Sequence, residues 1–300
     1  MRLRGVELIV PQAHEAAEFL ETLWGLIPAG ARGKTQFFRG TGAHPYILAV
    51  RAGDAPAVHA IEFSGLPVEI EELHARVRRS NAPVRTFAEL DAPGGGAGLV
   101  VQGPEAQTYR FVAEPAPPPA LPAERDKPVQ VTHAVVNAAD VPSSERFAAE
   151  VLGFKVSDRT RAMTFLRCNR AHHAIAYAHS DVSSLNHIAF EMNDLDAVMR
   201  GIGRMRDAGY EAVWGPGRHG PGNNVFGYFI APFGGVIEYT AEVEEVPDDY
   251  RVGGPDDWKW PPGRTDRWGV SRKDTARISA AERTFRFPPG AMEINGVRLD

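Results

Sequence analysis

One cysteine, Cys168, is all that 300 residues contain, which excludes an intrachain disulfide and a multi-thiolate metal site and fits a reducing compartment. A basic excess is missing too. Lys and Arg number 33 against 38 Asp and Glu, a formal net charge of −5, so no long-range positive field draws in nucleic acid or anionic lipid. No apolar run approaches the roughly 20 residues of a membrane span. The opening MRLRGVELIV lacks the apolar core of a signal peptide. These absences set the expectation of a cytoplasmic protein with neither nucleic acid nor membrane as a partner. What is present is ordinary globular composition, 43% hydrophobic and 24% charged, in a length that suggests about two domains.

Apolar periodicity divides the chain into strands and helices whose order occurs twice. Residues 5–10 read as a strand, and 13–26 place Ala16, Phe19, Leu20 and Leu23 at helical spacing. Two strand-like runs occupy 36–51, and another strand starts at Val58. A helix over 68–79 has acids early and arginines late, as its dipole favours; runs at 98–101 and 108–112 close the set. From Thr132 the series begins again. A strand at 132–137 leads to a helix from Val141 to Leu152, then strands at 163–167, 173–178 and 185–191. A helix over 194–208, capped by Gly209, precedes a hairpin ending near Tyr239. His187 falls on His59 and Glu238 on Arg110 at one offset of 128 (187 − 59; 238 − 110), and His133 falls on Glu7 at 126 (133 − 7). A near-constant offset over three strands marks an internal duplication.

The expected architecture is therefore α+β, two tandem domains, each with the βαβββ order written twice. The first domain is placed at residues 1–115 and the second at 129–245. Between them, 116–128 is a stiff exposed linker in a stretch with six prolines from Pro115 to Pro128. The extension 246–300, rich in Pro, Gly and Arg and poor in periodicity, is expected to wrap the surface or a partner subunit.

The second copy holds a set of residues that the first lacks. Glu238 lies in a strand otherwise built of Val, Ile, Tyr and Thr, where a carboxylate is costly to bury unless it is paired or binds a metal. His133 and His187, on two further strands, supply partners. Two imidazoles and one carboxylate with the opposite face open form the ligand set of mononuclear non-haem Fe(II) oxygenases. At the matching positions the first copy has Glu7, His59 and Arg110, and an arginine is no ligand, so only the second copy is expected to bind metal. A lone strand histidine is more often structural; three ligand-competent residues in one copy outweigh that reading. The first copy has His44-Pro45 where the second has His172-His173, which makes His173 the preferred proton carrier over a half-exposed surface histidine. Tyr228, matched by Val100, is either a hydrogen-bond donor at the site or a core aromatic. His219 sits in a Gly/Pro-rich loop that cannot be helical.

With these residues in place, the chain resembles the type I extradiol ring-cleaving dioxygenases of the vicinal oxygen chelate superfamily, over about residues 1 to 245. The resemblance rests on Thr132-His133, FLRCNRAHHAIA with its His173, Leu185-Asn-His187, GPGRHG with its His219, and Tyr228 followed by Glu238. It implies that each pair of βαβββ modules forms a funnel-like curved sheet, the vicinal oxygen chelate or glyoxalase fold. His133, His187 and Glu238 would ligate Fe(II), less often Mn(II). His173 would be the acid/base, while His219 and Tyr228 would hydrogen-bond a bound catecholate. The substrates implied are a small aromatic diol and O2, and the assembly a homo-oligomer. Val135, two residues from His133, shares the ligand face. With Phe165 and Trp214 it would form a pocket for a largely apolar ring substituent. Arg264, in PPGRTDRWG, is either a carboxylate anchor or, more in keeping with its tail position, a solvated arginine. One departure is Ala231-Pro-Phe-Gly, where the family commonly has Asp-Pro-x-Gly; it bears on a turn rather than on the metal. Two alternatives stay open. One is a lyase or isomerase similar to glyoxalase I, using Zn or Ni, a class that usually draws on a two-domain ligand set with an extra Glu. The other is a metal-free binding protein similar to the bleomycin-resistance proteins.

Overall fold

In the computed structural model, which describes residues 1–114, 116–288, 292–295 and 297–298, the duplication is visible strand by strand. Pro115, the expected end of the first domain, and residues 289–291, 296, 299 and 300 of the extension lie outside the described residues. The first half builds an eight-stranded sheet from β1 (Arg2–Val10), β2 (Ile27–Arg32), β3 (Thr35–Arg39), β4 (Leu48–Ala52), β5 (Ala57–Gly65), β6 (Val84–Phe87), β7 (Gly98–Gln102) and β8 (Thr108–Ala113). Its order is β2-β3-β4-β1-β5-β8-β7-β6. The second half uses β9 (Val131–Ala138), β10 (Lys155–Arg159), β11 (Met163–Arg167), β12 (Ile175–His179), β13 (Ser184–Glu191), β14 (Trp214–Arg218), β15 (Val225–Ile230) and β16 (Val236–Ala241). Its order, β10-β11-β12-β9-β13-β16-β15-β14, retraces the same path. One helix follows the first strand of each βαβββ unit: α1 (Ala13–Phe19), α2 (Pro67–Ser80), α3 (Val141–Arg146) and α4 (Leu195–Asp207).

The two segments expected as single helices, 13–26 and 141–152, change pitch part-way. After α1 and α3 the chain widens into π-helical turns at Leu20–Trp24 and Phe147–Leu152. Gly25 and Gly153 then stop them at φ +92° and +80°, the left-handed conformation that glycine enters without strain.

At the centre of each sheet, β1 pairs antiparallel with β5 and β9 with β13. Side chains alternate along a strand, and that alternation creates the site. On β9, Ala134, Val136 and Ala138 enter the core, while His133, Val135 and Asn137 face a cavity on the other side. On β1, Val6, Leu8 and Val10 enter the core and Glu7 faces a second cavity. A register slip of one residue would drive His133 into the core and expose Ala134, so burial of the apolar face fixes the ligand face.

One apolar core runs through both halves. Trp24 of the first half stacks on Tyr239 of β16, ring centroids 3.7 Å apart and planes 6° from parallel, and the Tyr239 hydroxyl donates to the Trp24 carbonyl at 2.7 Å. Such a pair adds about 0.5–1.5 kcal/mol beyond its buried area. Residues 116–128 are mostly exposed but pinned: the Thr41 N–H donates to the Pro128 carbonyl and the Leu121 N–H to the Thr41 carbonyl. The extension wraps this chain's own surface. Gly253 bridges to Asp158 of β10, a short helix α5 (Thr275–Ala281) follows, and Met292 and Ile294 end against Phe37 and Tyr46 of the first half. No helix among the described residues is long and apolar enough to cross a membrane.

Candidate metal centre

Three adjacent strands, β9, β13 and β16, bring His133, His187 and Glu238 together on the concave face of the second sheet. One ligand-capable atom from each lies within 4.8 Å of the others. Glu238 Oε2 is 3.4 Å from His133 Nε2 and 3.2 Å from His187 Nε2. The opposite ring nitrogens are already engaged. His187 Nδ1 is 2.6 Å from Asn186 Oδ1, an acceptor, so it carries the hydrogen. His133 Nδ1 is 2.8 Å from Thr132 Oγ1, which accepts the Nδ1 hydrogen when its own hydroxyl donates to the Ala189 carbonyl at 3.5 Å. Both Nε2 atoms are therefore left with free lone pairs aimed at one point.

The buried Glu238 carboxylate fits a cation at that point. Its Oε2 has no hydrogen-bond partner although the residue is fully buried, an arrangement that costs free energy unless a cation completes it. Burial pushes the carboxyl up, but the positive charge that His133 and His187 carry when protonated more than offsets this and holds it well below the usual carboxylate range, the place a metal cation would take over. Burial likewise lowers His133. Two neutral imidazole nitrogens and one carboxylate oxygen fit a divalent transition metal.

Around this point is a cavity of about 540 Å³. His173 lines it, its ring 4.1 Å from that of His133. Burial, then the neighbouring His133 and His172, hold His173 well below its ordinary pKa. His219 Nε2 is 2.9 Å from the Tyr228 hydroxyl, which in turn is 3.5 Å from His187 Nε2. Burial lowers His219 to about 3 and, with Glu238 nearby, raises Tyr228 well above its usual value. Val135, Phe165 and Trp214 all line the same cavity. So do residues that sequence reasoning missed. Asn224 donates to Thr240 Oγ1 at 2.7 Å and to Glu238 Oε1 at 3.4 Å. Ile278, Lys273 and Glu282 reach in from the extension, and the Lys273 ammonium stands 4.7 Å over the Trp214 ring. Arg264 is not among the lining residues; Lys273 and Arg283 are the cations that the extension places there. The Gly/Pro-rich spacing around His219 signalled the loop, but nothing in the extension's pattern signalled its return to the site.

The first sheet gathers Glu7, His59 and Arg110 around its own smaller cavity, of about 170 Å³. There the Arg110 guanidinium donates to Glu7 Oε2 at 2.9 Å and to Glu62 Oε1 at 3.0 Å, and the Tyr46 hydroxyl donates to Glu62 Oε2.

Comparison with known proteins gives the same fold. Residues 130–239 match the family model of the Glyoxalase/Bleomycin resistance protein/Dioxygenase superfamily. The solved structure of a Mn(II)-bound glyoxalase from Novosphingobium aromaticivorans is 32% identical, with a TM-score of 0.84, covering 92% of this chain and 93% of that one. A variant of homoprotocatechuate 2,3-dioxygenase from B. fuscum shares the fold at 19% identity and a TM-score of 0.80, over 90% of this chain and 79% of that one. Metapyrocatechase 2 from Cupriavidus necator is 28% identical over 200 residues, 66% of this chain and 56% of that protein. The match thus spans little more than half of that curated relative. The chain belongs to the Glyoxalase/Bleomycin resistance protein/Dioxygenase superfamily, in its tandem-domain form.

Proposed function

We propose that this chain is an Fe(II)-dependent extradiol dioxygenase that opens a catechol-type aromatic diol with O2 to a semialdehyde or related product. The observation that supports it most is the convergence of His133 Nε2, His187 Nε2 and the unpartnered Glu238 Oε2 at the floor of a cavity large enough for an aromatic ring. Fe(II) held there, with Mn(II) as the less frequent choice, would acidify the diol and make O2 reactive beside the ring. The rest falls to the chain's own side chains. Val135, Phe165 and Trp214 form apolar walls that hold the ring and a largely apolar substituent. His173, kept neutral by burial, takes a proton from a diol hydroxyl and returns it later in the cycle. His219 and Tyr228, hydrogen-bonded to each other, hold the deprotonated diol oxygen in place. The first sheet has no part in the chemistry. The same proposal places the enzyme in the cytoplasm as a homo-oligomer, with an aromatic diol and O2 as its partners and no role for nucleic acid or membrane.

The 32% identical structure named a glyoxalase favours a second reading, a metal-dependent lyase or isomerase. Against it, the ligand group here is drawn from one sheet alone. Anaerobic loading with Fe(II) followed by O2 uptake on a panel of small catechols separates the readings. The proposal expects uptake with a yellow ring-opened product. Iron bound without uptake on any catechol would move the assignment to the isomerase, and absence of metal binding to a binding protein.

A further inference from the structure

His173 is held by a buried chain of side chains that the chemistry above does not use. His172 Nδ1 lies 3.0 Å from His173 Nδ1, and His172 Nε2 lies 2.7 Å from Asp158 Oδ2. Asp158 and His172 are both fully buried. The extension supplies the remaining donors to Asp158: the Gly253 N–H at 2.7 Å on Oδ1 and the Tyr250 hydroxyl at 3.2 Å on Oδ2.

Counting hydrogens gives this chain a direction. The Asp158 oxygens accept from a peptide N–H and a phenol, and the third group at hydrogen-bond distance, His172 Nε2, donates as well. Taken in its neutral form, the His172 imidazole has one N–H. With it on Nε2, His172 Nδ1 is a bare acceptor, and the nitrogen facing it on His173 must be Nδ1–H. His173 is then left with its lone pair on Nε2. We infer that His172, anchored by Asp158, is a positioning residue that fixes the ring of His173 and makes Nε2 its basic nitrogen. The extension gains a purpose, since Tyr250 and Gly253 complete the shell of Asp158.

The first sheet shows what is lost without this device. Gly30 pairs with Phe37 across a bulge, in the register at which Asp158 pairs with Phe165. Glycine has no carboxylate to offer. His44 there turns to Gln130 Oε1 at 3.0 Å, and Pro45 follows it where the second sheet has His173. The Asp–His–His chain thus exists only in the sheet with the metal ligands.

The inference rests on the acid/base role proposed for His173, and its test has an arm independent of turnover. Nitrogen-15 NMR of the metal-stripped full chain, with the His173 signals assigned from a His173→Phe sample, is expected to show His173 as the Nδ1–H tautomer. His172→Phe and Asp158→Ala are expected to give a tautomer mixture. In the iron-loaded enzyme both should lower kcat about 10- to 100-fold, a part of the roughly 10²- to 10⁴-fold that a positioned acid/base supplies, with KM within about twofold and iron content unchanged. His172→Asn, whose side-chain oxygen reaches the place of Nδ1, should restore both the tautomer and most of kcat, and it serves where the larger changes disturb folding. A wild-type His173 in the Nε2–H form, or His172→Phe with tautomer and kcat both unaltered, would overturn the inference. Absence of O2 uptake by the wild type with the tautomer as expected would leave the positioning role standing and remove the dioxygenase reading alone.

Discussion

The two sheets of this protein solve one electrostatic problem in two ways. Each brings three polar side chains to the same place on its concave face, from the first, fifth and eighth strands of its half in chain order. In the first sheet the positive charge is built in: Arg110 satisfies Glu7 and Glu62. Burial opposes its charge, but Glu62 and Glu7 outweigh this and raise its pKa above the ordinary value. In the second sheet Glu238 replaces that arginine, and two histidines face its unpartnered oxygen. A closed ion-pair cluster is inert. An arrangement one positive charge short is a site. The partner strand follows suit: Val100 opposes Arg110 on β7, while Tyr228 opposes Glu238 on β15.

The comparison can be broken from either side. His187→Ala should have the largest effect, complete loss of iron and of O2 uptake, read by metal analysis after anaerobic reconstitution. His173→Phe should keep one iron and slow turnover by about 10²- to 10⁴-fold, as loss of a general acid/base does; unchanged turnover would remove it from the mechanism. Arg110→Met should spare the iron but leave Glu7 and Glu62 buried without a counter-charge, costing about 3–5 kcal/mol in urea unfolding. An Arg110→Met protein of wild-type stability would show that the first cluster is not closed by its arginine. His59→Ala should do least. It makes no hydrogen bond within the cluster and stands 3.9 Å from Glu7, so iron and activity should both persist.

Much of this was legible in the sequence because strand residues keep a fixed phase. Once the offset of 128 aligned His187 with His59 and Glu238 with Arg110, alternation alone put each on the concave face. Val135 followed from the same phase, whereas Phe165 and Trp214 came from the family resemblance and not from spacing. The π-helical turns before Gly25 and Gly153 were hidden, because a widened turn keeps much the same apolar residues inward. Asn224 was hidden because a loop amide within GPGNN looks like any turn residue. The extension was least legible. Lys273, Ile278 and Glu282 reach the cavity singly from loop and a two-turn helix, so no periodicity announces them. Arg264, singled out by its PPGR setting, is not among the lining residues. The Asp158–His172 pair was out of reach for another reason: 14 residues and a strand hairpin separate its members.

The central claim is that the second sheet, and only the second, holds a metal. Iron counted per folded chain in the wild type, Glu238→Ala and His59→Ala, all loaded anaerobically and desalted, tests it most directly. The account predicts one, none and one. Two irons in the wild type, iron retained by Glu238→Ala, or iron lost from His59→Ala would contradict it.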